Sequence, residues 1–595
     1  MVSSFAGVTA VEGDGVNDII IRGNSSRGLL WKLEGIEIPN PNHFSDGQGG
    51  TGGAVSVISS KMLSTSDFFT GAFPAEYGNA TSGIMDLSLR TGKTGKREYA
   101  FQLGVVGTEF CLEGGFTKTS KSSYLINYRY STFGYLSKIG MIDLGNNNLP
   151  PIFNDLSAKF NFPTKGSGTF SIFLIAGQSN TGTQAVKDSA QWLSDSDLRY
   201  FENENHKMAI AGLKHFYLFP GNKTSIKTVV AGTYLSDEWT EGNLMRNYEK
   251  FHEYYNVFKY PSIRTNIILN SKINTRNVLR AGLMFSPLGF DLFFREYNYD
   301  IGKYDTLVNQ NGNSGMSQAF IQHKYRFSEK PKLTLGYTTF IFILMVILRL
   351  SHVWELRQKI NDKLSLNFGF GMHSRAEAIS AYMALIPQPG GEWSPINKNI
   401  EFGRAAHTII GCDYSINHNW RVKTEAYYQY LYNIAESADT TLVISAINFG
   451  HGIPDQKLVN KGIGYNYGFE LTIERFFNQG YYILFTTSLF DSKFKAPTGK
   501  WFNTVFNSGY VGNLLAGKDF QFGSKKQNVF GINSKCVLRG GYRISPINRE
   551  LSVQNQEVVF DESRYNENNL PAFLRFDIGA YYRINKANYS YTVYT

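Results

Sequence analysis

His43 stands in an Asn-Pro loop with Asp46 three residues on, a pair of side chains able to begin a metal site. A protein-held metal needs further ligands at a ligating spacing, and none follows. Gly47-Gln48-Gly49-Gly50 has the look of a phosphate loop without the Lys-Ser/Thr pair that would reach the phosphate and its metal. No Gly-x-Ser-x-Gly elbow stands between a credible strand and helix. Cys111, Cys412 and Cys536 are far apart and form no Cys-x-x-Cys pair, so they give neither a disulfide framework nor a zinc site. The expectation is a protein with no catalytic residue, metal or cofactor, hence not an enzyme.

The chemistry that remains is electrostatic. Glu425, Glu470, Glu474, Arg575 and Asp577 recur inside alternating stretches, always on the face opposite the aromatics. In a barrel such residues line a polar lumen and can reach a domain held inside it. In a soluble sandwich they would simply face water, and alternation alone does not separate the two. The net charge of +10 is dispersed, with no basic run long enough to track a phosphate backbone, so nucleic acid is not expected. A basic lumen or an anionic membrane surface fits it better.

Period-two stretches must position these charges. Tyr124, Ile126, Tyr128 and Tyr130 oppose Asn127, Arg129 and Ser131; Leu364, Leu366, Phe368, Phe370 and Met372 oppose Ser365, Asn367, Gly369, Gly371 and His373. The same holds from Trp420 to Tyr432 and from Leu574 to Arg583. These runs suit membrane-crossing strands of about 9 to 11 residues better than soluble strands of about 5 or 6. Composition agrees: 15% of residues are aromatic, only 18% are charged, and the mean hydropathy of −0.25 excludes a helical membrane bundle. A polar average with many aromatics is what results when one strand face meets lipid and the other water. Polar segments Gly177 to Asn205 and Ser437 to Lys461 read as long loops, whereas Pro163-Thr164-Lys165-Gly166 and Asn478-Gln479-Gly480 read as short turns. One run breaks the pattern: Phe340 to Leu348 has nine apolar residues in a row, too short for a membrane helix. A fully buried strand, a packing peculiarity or a disturbed reading frame would each explain it.

The first 92 residues differ from the rest. Asp18 to Arg22 and Leu29 to Ile38 read as short strands, the second broken by Gly35. Pro39 to Gly53 reads as loop, Val55 to Leu63 as a short helix from the spacing of Val55, Ile58 and Met62, and Phe68 to Phe73 as strand. Tyr77-Gly78 reads as a tight turn, with alternation following from Ile84 to Arg90. The expected fold is therefore all-β and transmembrane: residues 93–595 as a large antiparallel barrel, residues 1–92 as a small α+β domain in its lumen.

The stretches DIIIRGN (Asp18 to Asn24), LEGIEIPNPNHF (Leu33 to Phe44) and SDFFTGAFPAEYGNATSG (Ser66 to Gly83) resemble the plug of TonB-dependent outer-membrane receptors, particularly the Bacteroidetes type. VNKGIGYNYGFELTIER (Val459 to Arg475) and YYILFTTSLFDSKFK (Tyr481 to Lys495) resemble barrel strands of the same group. The resemblance implies a 22-stranded barrel in the bacterial outer membrane, and import gated by the plug. The partners it implies are the TonB protein with its inner-membrane motor, an imported ligand such as a siderophore, glycan or peptide, membrane lipid and lipopolysaccharide, and a surface lipoprotein. It gives Arg22 a plug-positioning role, with Gly23, Gly35, Gly78 and Gly83 allowing turns or close backbone approach. Because plug loops face outward in the family, Asn40, Asn42, His43 and Phe44 are candidate ligand contacts. Against the family pattern, a signal peptide, a TonB-contacting box, a preceding regulatory-like domain and the last barrel strands are not recognised. The expectation is a chain truncated at both ends. The alternatives are a passive porin, a surface-binding or adhesin barrel, a non-functional fragment or a soluble secreted β-protein.

Overall fold

The computed structural model describes residues 2–10, 17–45, 49–142, 145, 147–327, 331–342, 347–388, 391–448 and 452–595. Among these, twenty-two strand segments hydrogen-bond into a closed ring that runs in chain order from Glu98–Leu103 to Ser590–Tyr594. One of them, Trp501–Asn503, is a short strand on the loop-side end of Tyr481–Lys495, whose main partner is Tyr510–Phe522.

The alternation in sequence is the inside–outside alternation of the wall. In Ser123–Ser131, Asn127 and Ser131 are buried while Tyr128 and Tyr130 point outward. In Trp420–Ser437, Gln429 is buried between exposed Tyr428 and Tyr430. Leu574, Phe576 and Ile578 on Phe573–Asn585 are 66–69% exposed. An outward belt of Leu, Phe, Ile and Tyr of this extent is too large for a water-facing surface and has the chemistry of a lipid-facing one.

The connections sort by length. At one end, Gln479 (φ +53°) and Gly480 (φ +77°) turn the chain in two residues, the left-handed pair that a tight hairpin requires. Thr164 N donates to Gly168 O at 2.8 Å in another short turn. At the other end lie the long connections 376–402, 438–457 and 540–572. Two expected loops are shorter than their polarity suggests: strands continue to Thr183 and resume at Tyr200, and continue to Ser437 and resume at Leu458. Strands reach 24 residues, at Lys303–Arg326, so their ends project beyond the length a bilayer needs, where no apolar face is required. The apolar run Phe340 to Leu348 is not one strand. Pro331–Phe342 and Ile347–Lys359 pair up to Phe342 opposite Ile347, so the run is divided between both strands of a hairpin, and residues 343–346 lie outside the described residues.

The N-terminal segment fills the ring. Its centre is a four-stranded sheet in the order Ile36–Glu37, Leu29–Leu33, Gly83–Leu87, Asp67–Phe69, with the middle pair parallel. Val8–Ala10 pairs with Ile19–Ile21, and Asn42–His43 with Val55–Ser56. The helix expected over Val55 to Leu63 is absent; that stretch is the strand Val55–Ser56 and one 3-10 turn, Ser60–Met62. Backbone pairing with the Asn42–His43 strand, and a cap in which Ser59 Oγ accepts from Lys61 N, take the place of helical bonds. The tight turn falls at Pro74 to Tyr77, one step before the expected Tyr77-Gly78, and the left-handed residue after it is Asn79 (φ +56°). The segment's apolar side, with Ile21, Leu33, Met62 and Leu87, packs directly on Leu125, Phe173, Ile210 and Val229 of the wall. A module this small depends on such an enclosure for its core.

Candidate functional site

Arg22 is the pivot between the inner domain and the wall. The strand Ile19–Ile21 ends there in a left-handed turn, Arg22 at φ +54° and Gly23 at φ +72°, with Arg22 N donating to Gly7 O at 2.7 Å. That turn directs the guanidinium outward. Nε donates to Glu470 Oε1 at 2.8 Å, Nη2 to Glu470 Oε2 at 2.7 Å and to Glu425 Oε2 at 3.2 Å, and Nη1 to Thr70 O at 3.2 Å. The guanidinium carbon lies 4.1 Å from the centre of the Tyr427 ring. Burial opposes the charge on Arg22, but Glu470 and Glu425 outweigh it and hold the guanidinium more firmly protonated than usual. Gly23 is close against the wall: a Cβ there would meet Ser492 Cβ at 2.7 Å. Asn24 extends the contact, donating to Gln429 Oε1 at 2.8 Å and accepting from Asn466 Nδ2 at 2.7 Å.

Other ion pairs fasten the inner domain around its circumference. Glu34, at φ +54° in the turn of the Leu29–Glu37 hairpin, accepts from Lys159 Nζ at 2.7 Å and Lys214 Nζ at 2.5 Å. Burial works to raise its carboxyl, and the two lysines overcome that and leave it below the usual range. Lys61 pairs with Glu109 at 2.6 Å, Arg90 with Glu113 at 2.7 Å, and Glu76 with Arg280.

On the long-loop side, a cavity of about 320 Å³ lies between the inner domain, the wall and the loops. Arg27, Glu37 and Asn40 line it from the inner domain, Arg264 and Arg375 from the wall, and Glu377 from a loop. Arg27 Nη2 donates to Gly452 O at 2.6 Å and Nη1 is 3.7 Å from Glu377, so one side chain ties the inner domain to two outer loops. Arg375 Nη1 donates to Leu29 O at 2.9 Å and Asn79 O at 3.0 Å. The basic side chains and large apolar share of this surface, with Tyr260, Leu288 and Ile434 among the lining, suit an anionic ligand with an apolar or aromatic body.

Of the four residues expected to touch ligand, only Asn40 reaches this cavity. Its Nδ2 donates to Gly52 O at 2.6 Å and Gly50 O at 3.2 Å, and Asn42 Nδ2 donates to Asn40 Oδ1 at 2.6 Å. Both asparagines thus shape the loop. His43 is fully buried, with Nε2 3.1 Å from Asp155 Oδ2, and Asp155 is itself held by Arg129. Phe44 (φ +54°) donates its N–H to Ser179 Oγ at 3.1 Å, and its ring packs edge-on to Phe153. Asp46, Gly47 and Gln48 lie outside the described residues. At Gly35 (φ +99°) and Gly83 a Cβ would meet Lys227 Nζ at 2.8 Å and Ile21 Cδ1 at 2.2 Å, respectively. Gly78 is buried in the wall contact near Arg264. The cavity residues Arg27, Arg264, Arg375 and Glu377 carry no local sequence signal, since they come together only when the ring closes.

The architecture is that of a β-barrel occluded by an N-terminal plug. No family model matches the chain, and no curated protein matches it. Solved structures do: the siderophore receptor PirA from Acinetobacter baumannii (TM-score 0.65, 13% identity, covering 98% of this chain and 88% of that one) and the FrpB iron transporter from Neisseria meningitidis (0.66, 12%, 98% and 88%). The outer membrane transporter YddB from Escherichia coli is similar to the same degree (0.65, 12%, 98% and 87%). At this identity the likeness establishes the fold, the plug-and-barrel fold of TonB-dependent outer-membrane receptors. The Bacteroidetes type named from the sequence is not addressed by these structures.

Proposed function

We propose that the chain is a plug-gated importer of the outer membrane, binding an anionic ligand in the loop-side cavity and releasing it inward when the TonB protein, powered by its inner-membrane motor, displaces the plug. The observation that carries this reading is the way the plug is fastened. The described residues between 2 and 90 block the lumen, as an open porin or a simple adhesin would not require, and their attachment to the wall includes buried ion pairs such as Arg22–Glu470 and Glu34–Lys159. Such pairs hold a plug in one position, yet can be exchanged for water once the plug begins to move. A ferric chelate of the siderophore class is the favoured ligand, because its catecholate and carboxylate members are anionic and siderophores are the cargo named for similar structures. The test is uptake of radiolabelled iron, offered as ferric enterobactin and other ferric siderophores, by cells whose own receptors have been deleted and which express this chain. Uptake that stops when a protonophore collapses the proton gradient supports energy-coupled import. Uptake indifferent to the protonophore supports a passive pore instead.

A further inference from the structure

Three cavities lie in a row down one side of the plug. The loop-side cavity shares Leu30, Glu37, Arg264, Ser286 and Met316 with a constriction of about 30 Å³. The constriction shares Gly35 and Glu76 with a chamber of about 340 Å³. That chamber reaches Lys214, Lys227 and Arg280, near the short-turn ends of their strands. The row therefore follows the Leu29–Glu37 hairpin of the plug on one side. On the other it follows the inward faces of five adjacent wall strands, from Tyr200–Leu218 and Thr224–Leu244 through Lys250–Lys272 and Asn277–Asn298 to Lys303–Arg326.

The narrow part has room for about one water molecule. Leu30 and Ile36 of the plug line it with Met284 and Met316 of the wall, whose unbranched side chains adapt readily, and the hydrogen bond from Asn266 Nδ2 to Gly35 O at 2.5 Å crosses it beside them. Arg264, Lys227 and Arg280 flank it on the wall; on the plug, Glu37 and Glu76 flank it beside Lys32, and Glu34, Asp67 and Asp86 line the chamber below. Arg280 is paired directly with Glu76, but the other two wall cations are held loosely. Arg264 is 3.9 Å from Glu37, and the Nε atoms of Arg264 and Arg280 have no hydrogen-bond partner among the described residues. Lys227 has neither a hydrogen bond nor an ion pair among the described residues; its Nζ lies over the Gly35 turn, with Glu76 and Asp86 as the nearest opposite charges. The far side of the plug is the reverse case, with Arg22 held by two carboxylates and Gly23 O bonded to Ser492 Oγ at 3.0 Å.

We infer that this seam is the ligand's path past the plug, and that Arg264, Lys227 and Arg280 hold its anionic groups in turn, the ligand replacing Glu37 and then Glu76 as their partner. Each exchange swaps one anion for another, so Arg264, Lys227 and Arg280 keep a counter-charge, while Lys159 and Lys214 must release Glu34 as the hairpin swings away. The Arg22 side stays fastened and acts as the hinge. The ligand in this scheme rests on the import reading, but the seam's charge and accessibility do not.

The test uses the full chain in detergent, with Cys111, Cys412 and Cys536 replaced by serine and a single cysteine introduced by Met284→Cys, Gln318→Cys or, on the fastened side, Ser488→Cys. Each is reacted with a sulfonate-bearing (anionic) and an ammonium-bearing (cationic) methanethiosulfonate, with rates normalised to free cysteine. Heat-modifiable gel migration verifies that each barrel is folded. The expected result at 284 and 318 is a preference of about tenfold for the anionic reagent, of the size that a focused cationic lining produces. The preference should grow with Glu37→Gln plus Glu76→Gln and vanish with Arg264→Gln plus Lys227→Gln, while Ser488→Cys reacts slowly with both reagents. Equal rates for the two reagents at 284 and 318, or reaction at 488 as fast as at 318, overturns the seam. A chain that shows the labelling pattern but no energy-dependent uptake overturns the import reading alone, and one that imports without the pattern overturns the seam alone.

Discussion

Arg22 and Glu470 are 448 residues apart in sequence and meet through two charge-assisted hydrogen bonds of 2.8 and 2.7 Å in a site with no exposed guanidinium surface. Removing Arg22 leaves Glu470 buried without its cation, and removing Glu470 leaves Arg22 with only the longer contact to Glu425 at 3.2 Å. Glu470→Ala or Arg22→Ala should therefore loosen the plug by about 3–5 kcal/mol, whereas the joint replacement Arg22→Met with Glu470→Met should recover much of the loss. Limited proteolysis of the plug in the folded barrel measures it. Equal cleavage of single and double variants would mean that the pair contributes only packing.

Gly23→Ala tests the backbone of the same hinge. The left-handed φ of +72° and the 2.7 Å approach of a Cβ to Ser492 Cβ act together, since neither the wall strand nor the turn can easily move. A cost of about 1–3 kcal/mol is expected, mostly steric. A thermal shift should accompany it, and Ser492→Gly in the same chain should restore part of the stability.

How much of this was readable beforehand follows from where each partner lies. The wall's alternation is local, so Tyr128, Gln429 and Phe576 could be assigned a face from neighbours two residues away. Arg22 was singled out through the plug motif, and Glu425 and Glu470 were readable as lumen charges. Which carboxylate Arg22 meets was not, because that depends on the register accumulated around the ring. His43 misled for a related reason: a loop rich in Gly, Pro and Asn reads as solvent-exposed, but here the wall encloses it and supplies Asp155. The helix expected at Val55 to Leu63 failed because strand pairing with Asn42–His43 outweighed a weak helical period in a nine-residue stretch.

The buried His43 makes plug seating sensitive to mild acid. Burial lowers its pKa, and the Asp155 contact only partly opposes this, so the folded value lies below the usual 6.5. The displaced chain then binds protons more readily than the seated one. The contribution is complete above about pH 6.5 and is lost as the pH falls below it; each tenfold difference in proton affinity between the seated and displaced plug is worth about 1.4 kcal/mol. Glu34 has the same sign but a more acid window, below its usual range near 4.5, because its lysines hold its carboxyl down. Proteolytic susceptibility of the plug should thus rise between pH 7.5 and 5.5, and His43→Gln should flatten that rise without altering the steeper one below pH 4.5.

Arg27 separates ligand recognition from loop structure. It lines the cavity while holding Gly452 O at 2.6 Å and approaching Glu377, so it joins the plug to two outer loops beside the cavity. Asn42 is nearby in sequence, but its amide is spent on Asn40 Oδ1 and Thr51 O within the plug loop. Arg27→Gln should therefore weaken binding of a ferric chelate by roughly 10- to 150-fold, the loss of about one charge-assisted contact of 1.5–3 kcal/mol, with a smaller change in plug protection from its lost contacts to the loops. Asn42→Ala should do the opposite, lowering plug protection while leaving affinity within about a factor of 2, since deleting a hydrogen bond remote from the ligand costs folding and not binding. Titration of both variants by tryptophan fluorescence quenching, alongside the proteolysis assay, gives the two readouts. If Asn42→Ala lost affinity as strongly as Arg27→Gln, the ligand would have to bind deeper in the plug loop than the cavity at Arg27.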